Sequence, residues 1–258
     1  MRASAGIVGV FILALGALWW RSDREPDAPV AAVQPVSTMA PSQPSSEAPA
    51  PLQRAEPGAA FLDPSGAATV AYEAGDYQTA LRRFQEAIDR NPNDAESLSN
   101  LGQVLVKVGR TAEAVPHLQR ATALNPDRWA YRFNLARALG QLGRWDESIA
   151  SYQQAQRLFP DDYVTTFNLA MTLHKSGNEQ AAVDQYRRTI ELNPEDPSFR
   201  IALANSYERL QKPAEAVAAY SEYLRLSPSG ADAERVRARV AQLTGAAPSR
   251  GSSPPSHP

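Results

Sequence analysis

The chain of 258 residues contains no cysteine. That absence excludes disulfides, thiolate metal sites, a cysteine nucleophile and a lipidated N-terminal cysteine. Histidine is nearly as scarce. His117, His174 and His257 lie far apart, no two have metal-ligand spacing, and there is no His-Glu-x-x-His. A Gly-x-Ser-x-Gly turn and a phosphate-cradling glycine loop are also missing. The sequence therefore nominates no catalytic, cofactor-binding or metal-binding residue and reads as non-enzymatic. An excess of charge of either sign is lacking too. The formal net charge is −2, which provides no electrostatic case for a nucleic-acid partner.

Proline is abundant and placed with regularity. Pro92, Pro126, Pro160, Pro194 and Pro228 recur every 34 residues. A fixed period of this size signals a solenoid of stacked helix pairs. With that proline as position 32, the repeats run 61–94, 95–128, 129–162, 163–196 and 197–230. Position 8 is small: Ala68, Gly102, Ala136, Ala170 and Ala204. So is position 20: Ala80, Ala114, Ser148, Ala182 and Ala216. Small residues there let two antiparallel helices approach, and bulky Phe84, Leu118, Tyr152, Tyr186 and Tyr220 at position 24 fill the space beside them. Glycine at position 15 (Gly75, Gly109, Gly143, Gly177; Gln211 is the exception) closes each first helix with a left-handed cap. Carboxylates in turns, such as Asp94 and Asp162, read as N-caps.

The period, these columns, and the Asn-Leu-Gly (100–102), Asn-Leu-Ala (134–136, 168–170) and Asn-Pro (91–92, 125–126, 193–194) motifs resemble the tetratricopeptide repeat (TPR) family. The resemblance implies an all-α fold: a right-handed α-solenoid of about five helix pairs. Departures are local. Pro64 and Gly66 break up the opening helix of the first repeat, Thr189 and Tyr223 replace a small residue at position 27, and Pro116 predicts a kink in the second helix of repeat two.

Outside the repeats, residues 1–25 hold an uncharged run from Ala3 to Trp20, about 27 Å long as a helix, roughly the thickness of a bilayer core. Two readings are open: an uncleaved signal anchor, a transmembrane helix over about 3–20 that leaves a single-pass inner-membrane protein with a periplasmic solenoid; or a cleaved signal peptide, leaving a soluble periplasmic or secreted protein. Residues 26–60 are rich in proline and alanine and read as a disordered linker. Residues 231–244, with Val236, Val240 and Leu243 in a stripe, read as a capping helix whose Arg235, Arg237 and Arg239 form a solvated face. Residues 245–258 read as a disordered tail.

In the TPR family the first helix of each repeat lines a concave groove through positions 2, 5, 6, 9, 12 and 13. Carried onto this chain, the resemblance implies a peptide-binding groove of Asn100, Gln103 and Lys107; Phe133, Asn134, Arg137 and Gln141; Phe167, Asn168, Met171 and Lys175, with His174 beside them; and Asn205 and Arg209, next to Ile201. Asn100, Asn134 and Asn168 share position 6, so stacking sets them in a row able to pair with an extended main chain. Asparagine here is also part of the family's consensus. Lys107, Arg137, Lys175 and Arg209 add positive charge that favours a carboxylate, while Phe133, Phe167 and Met171 offer apolar contact. The family's clamp for chaperone tails needs a basic residue at position 5, where this chain has Ser65, Ser99, Phe133, Phe167 and Ile201. The expected role is a membrane-anchored adaptor that binds a protein partner, an extended peptide or a helix, in envelope assembly, secretion or cytochrome maturation. The alternatives are a self-associating structural oligomer and a glycan or cell-wall binder.

Overall fold

A computed structural model describes residues 64–245. Eleven helices are present among the described residues: α1 (Pro64–Glu73), α2 (Tyr77–Arg90), α3 (Ala95–Lys107), α4 (Thr111–Leu124), α5 (Trp129–Gln141), α6 (Trp145–Leu158), α7 (Tyr163–Lys175), α8 (Glu179–Leu192), α9 (Ser198–Arg209), α10 (Pro213–Leu226) and α11 (Ala233–Thr244). Each repeat packs its own two helices together, and each second helix packs on the first helix of the next repeat. Among α3, α5, α7 and α9, each also reaches the next along the series. The layer whose members meet one another is the inner layer of a curved stack, so the first helices line its concave side.

The columns explain the pairs. Ala68, Ala136, Ala170 and Ala204 have no exposed surface, nor do Ala80, Ala114, Ser148, Ala182 and Ala216. In repeat two, position 8 must be glycine, because a Cβ on Gly102 would lie 2.5 Å from Cγ of buried Leu118. Each first helix ends in the same cap. The N–H of Asp76, Arg110, Arg144, Asn178 and Lys212 donates to the carbonyl of Ala71, Leu105, Leu139, Leu173 and Tyr207. The residue before each donor has positive φ, which costs glycine little but places Gln211 at +58°. Asp94 and Asp162 cap α3 and α7 through the backbone N–H groups of Glu96 and Ser97, and of Val164 and Thr165.

Several expectations change. Pro64 does not break the first helix; it begins it, where a missing N–H removes no helical bond. Helix α4 runs without interruption through Pro116, which is exposed and forgoes only the bond to the carbonyl of Ala112. Tyr223 at position 27 is buried without disturbing α10. The terminal helix starts at Ala233 and buries Val236 against the last repeat. The membrane placement does not stand. Among the described residues no helix is long and apolar enough to cross a membrane. The longest have 14 residues, short of the roughly 20 that a bilayer core needs. Residues 3–20, which carried both the inner-membrane anchor and the signal-peptide alternative, lie outside the described residues, as do the segments 26–60 and 246–258.

Candidate partner-binding groove

The inner faces of α3, α5, α7 and α9 carry the residues expected to bind. At the N-terminal end, Asn100 and Gln103 are half-buried and joined to each other, Gln103 Nε2 donating to Asn100 Oδ1 over 3.2 Å. Lys107 is exposed at the end of α3. Gln141, exposed at the end of α5, accepts from Thr111 Oγ1 at 3.0 Å.

The middle of the row is different. Asn134 is 2 % exposed; its Nδ2 donates to Ser99 Oγ at 3.1 Å and its Oδ1 has no partner. Turning the amide over would pair the oxygen with the serine hydroxyl and orphan the nitrogen instead, so one half of the group is unsatisfied either way. Asn168 is fully buried. Its Nδ2 donates to the carbonyl of Val164 at 2.8 Å, and because a carbonyl only accepts, the amide is locked with Oδ1 unpartnered. On α5, one turn beyond Asn134, Arg137 is 4 % exposed and its Nε also lacks a partner. Burial pulls its guanidinium below the ordinary value, and the neighbouring phenols it senses are Tyr152 and Tyr72. The Tyr152 hydroxyl is buried without a partner, and that burial raises its pKa.

The aromatic residues expected to face a partner belong to the core. Phe133 has no exposed surface and packs edge-on against Tyr152, with ring centres 5.5 Å apart. Phe167 packs on Phe199 at 4.9 Å and Tyr186 at 5.8 Å, and Met171 joins the same cluster. They shape the groove wall from behind. Lys175 is half-buried at the end of α7.

At the C-terminal end, polar groups have partners. Asn205 is exposed, and its Oδ1 accepts from the Tyr220 hydroxyl at 2.6 Å. Arg209 is taken up by repeat four: Nη1 donates to the carbonyl of His174 at 3.2 Å, and Nε lies 2.8 Å from Glu179 Oε1, an ion pair not aligned as a hydrogen bond. His174 Nδ1 is 2.8 Å from Glu179 Oε2 and 3.0 Å from Ser206 Oγ. Glu179, Ser206 and the Tyr152 hydroxyl fall outside the groove pattern, which takes positions 2, 5, 6, 9, 12 and 13 of first helices only; Ser99, at position 5, enters it only as a residue that is not basic. A tyrosine where phenylalanine would fill the same space was the available signal for Tyr152. Among the described residues no group of acidic and histidine side chains is arranged to hold a metal ion.

Comparison with known proteins agrees with this architecture. The tetratricopeptide repeat models match residues 65–127, 99–163 and 167–241. No curated protein matches the chain. Among solved structures, a crystal structure of MamA protein is 20 % identical, covering 69 % of this chain and 96 % of that one with a TM-score of 0.62. MamA from Desulfovibrio magneticus RS-1, residues 41 to the end, is 17 % identical, with coverages of 67 % and 98 % and a TM-score of 0.63. YrrB, described as a TPR protein with an unusual peptide-binding site, is 17 % identical over 68 % of this chain and 90 % of its own, with a TM-score of 0.61. At these identities the likeness is one of fold. Helix pairs, cap geometry and matched repeats together show that the chain belongs to the tetratricopeptide repeat family.

Proposed function

We propose that this protein is a scaffold that holds an extended segment of a protein partner in its concave groove, with the segment's main chain paired to the amides of Asn134 and Asn168. The observation that carries this reading is the pair of unsatisfied amides on adjacent inner helices, α5 and α7. A buried polar atom without a partner costs about 1–3 kcal/mol, and a passing main chain supplies the N–H groups that both oxygens lack. YrrB's peptide-binding site is a property of that protein, and its likeness to this chain is support by analogy of fold.

The test is a pair of photocrosslinking positions in the full chain inside cells. One probe replaces Gln141, exposed at the groove's edge; the other replaces Gln119, exposed on α4. A partner captured from the first position only, and lost on Asn134→Ala with Asn168→Ala in a variant that circular dichroism shows to be folded, is the expected result. Equal capture from both positions, or capture that survives the double substitution, refutes the groove reading.

A further inference from the structure

The arginines of this protein divide into two kinds. Arg83, Arg110, Arg144, Arg225 and Arg235 are exposed or half-buried, and each sits within 3 Å of a carboxylate on its own helix or at its cap. Arg200, buried in α9, gives Nη1 to the carbonyl of Asp196. Arg137 is more buried than any of these, yet its Nε has no hydrogen-bond partner and no carboxylate is among the groups it senses. A guanidinium is charged at any physiological pH. A buried charge without a counter-charge is among the costliest features a fold can hold.

The surroundings of Arg137 say what would satisfy it. The Tyr152 hydroxyl is a second unpartnered donor, on a ring whose centre lies 5.5 Å from that of Phe133, one turn before Arg137 on α5. Asn134 lies one turn away on the same helix. Asn134 offers the partner an acceptor, its Oδ1, whereas Arg137 and the Tyr152 hydroxyl are two donors awaiting an acceptor, which is the chemistry of a carboxylate. We propose that Arg137 and Tyr152 form a subsite for the side-chain carboxylate of an Asp or Glu within the bound segment. This rests on the groove reading above and adds to it the chemical identity of one residue of the partner. The row of amides extends to both sides of Arg137, to Asn100 and Gln103 in one direction and Asn168 in the other. A segment lying on that row continues past Arg137, so the acid is internal to it and not a chain terminus.

Selection of short random peptides fused ahead of a display protein, with the full-length chain as bait, tests the subsite. The expected winners carry Asp or Glu at one fixed position. The best is then synthesised with an amidated end, together with its Glu→Gln or Asp→Asn counterpart, and binding is read by fluorescence anisotropy. Neutralising the peptide's acid should weaken binding to the wild type about tenfold, and should change little on Arg137→Gln. Tyr152→Phe should give an intermediate loss, and Arg137→Lys, which keeps the charge but not the planar fork, a partial rescue. Winners without an acid preference, or an acid whose loss matters equally in wild type and Arg137→Gln, overturn the subsite while leaving the groove intact. A requirement for a free terminal carboxylate overturns the internal acid. Winners unaffected by Asn134→Ala with Asn168→Ala overturn the groove reading and the subsite with it.

Discussion

Tyr152 and Tyr220 occupy the same position in the third and fifth repeats, both buried between the two helices of their pair. Their hydroxyls fare differently. The Tyr220 hydroxyl lies 2.6 Å from Asn205 Oδ1 and 2.7 Å from Glu208 Oε1, and Glu208 in turn is held by Arg239 of the terminal helix. The Tyr152 hydroxyl meets nothing. The same contrast runs through the two regions. All five buried side-chain atoms without hydrogen bonds among the described residues lie in repeats three and four. Repeat five and α11 use their polar groups to close the stack. A repeat array makes this division possible, because each repeat contacts only its neighbours and can be closed at one place while left unsatisfied at another.

The largest effect should come from the two hydroxyls. Tyr220→Phe removes the hydrogen that the hydroxyl shares between Asn205 and the Glu208 carboxylate at the end of the stack and should cost about 1–3 kcal/mol in chemical denaturation. Tyr152→Phe removes a buried hydroxyl with no partner and should cost nothing, raising the unfolding free energy by up to about 1–3 kcal/mol. Equal losses from both substitutions would break the comparison.

Arg137 sharpens it with the opposite sign. Arg137→Met keeps the length of the side chain and removes the unpaired charge, so it should stabilise the unliganded protein by about 1–2 kcal/mol. Arg209→Met, which takes a partner from buried Glu179, should destabilise it. Urea unfolding of the two variants in parallel decides the point. Loss of stability in Arg137→Met would mean that the guanidinium is satisfied.

The architecture was legible in the sequence because helix pairs of this kind are built from local constraints. Gly143, Ala136, Ser148 and Tyr152 each answer to a neighbour within their own repeat, so a column of residues reports its own cause. The bounds of α2 and α6 follow from that periodicity. Pro64 was misread because the cost of a proline depends on which N–H it removes, and that depends on where the helix starts. For the residues of the expected groove, the helix that carries each was legible but its partners were not. Asn134 finds Ser99 one repeat back, Arg209 finds Glu179, and Arg239 finds Glu208. Those pairings join different columns of different repeats, so no single column announces them. Nothing in the Asn-Leu-Ala motifs distinguishes Asn168, whose Oδ1 has no partner, from an amide that is satisfied.

A smaller effect concerns the fifth repeat's cap, where Gln211 stands at φ +58° in place of the glycine that the first four repeats use. Gln211→Gly should stabilise the C-terminal region by about 1 kcal/mol, and Gly143→Ala should destabilise the centre by a similar amount. If Gln211→Gly has no effect, the closing repeat is not strained at its cap and its stability comes wholly from the polar network.

The smallest expected effect is one of pH, and it separates the two regions by charge. Hydrogen bonding from Arg239, followed by that from Tyr220, holds the Glu208 carboxyl below its ordinary value of 4.5, against the opposing pull of burial. A folded-state value below the unfolded one means that the contribution is fully present above about pH 4.5 and is lost as pH falls through the folded value. Acidification should therefore loosen α11 first, seen as earlier amide exchange in Ala233–Thr244, and Arg239→Gln should flatten that dependence. Arg137 has no carboxylate partner among the described residues, so Arg137→Gln should leave the acid limb of the unliganded protein as it was. With an acidic segment bound, the centre should acquire a limb of its own: binding should weaken as pH falls through the carboxylate's range, in the wild type and not in Arg137→Gln. A centre that loses stability with acid before any segment is added would mean that its buried arginine already has an anion, and that repeats three and five differ less than their tyrosines suggest.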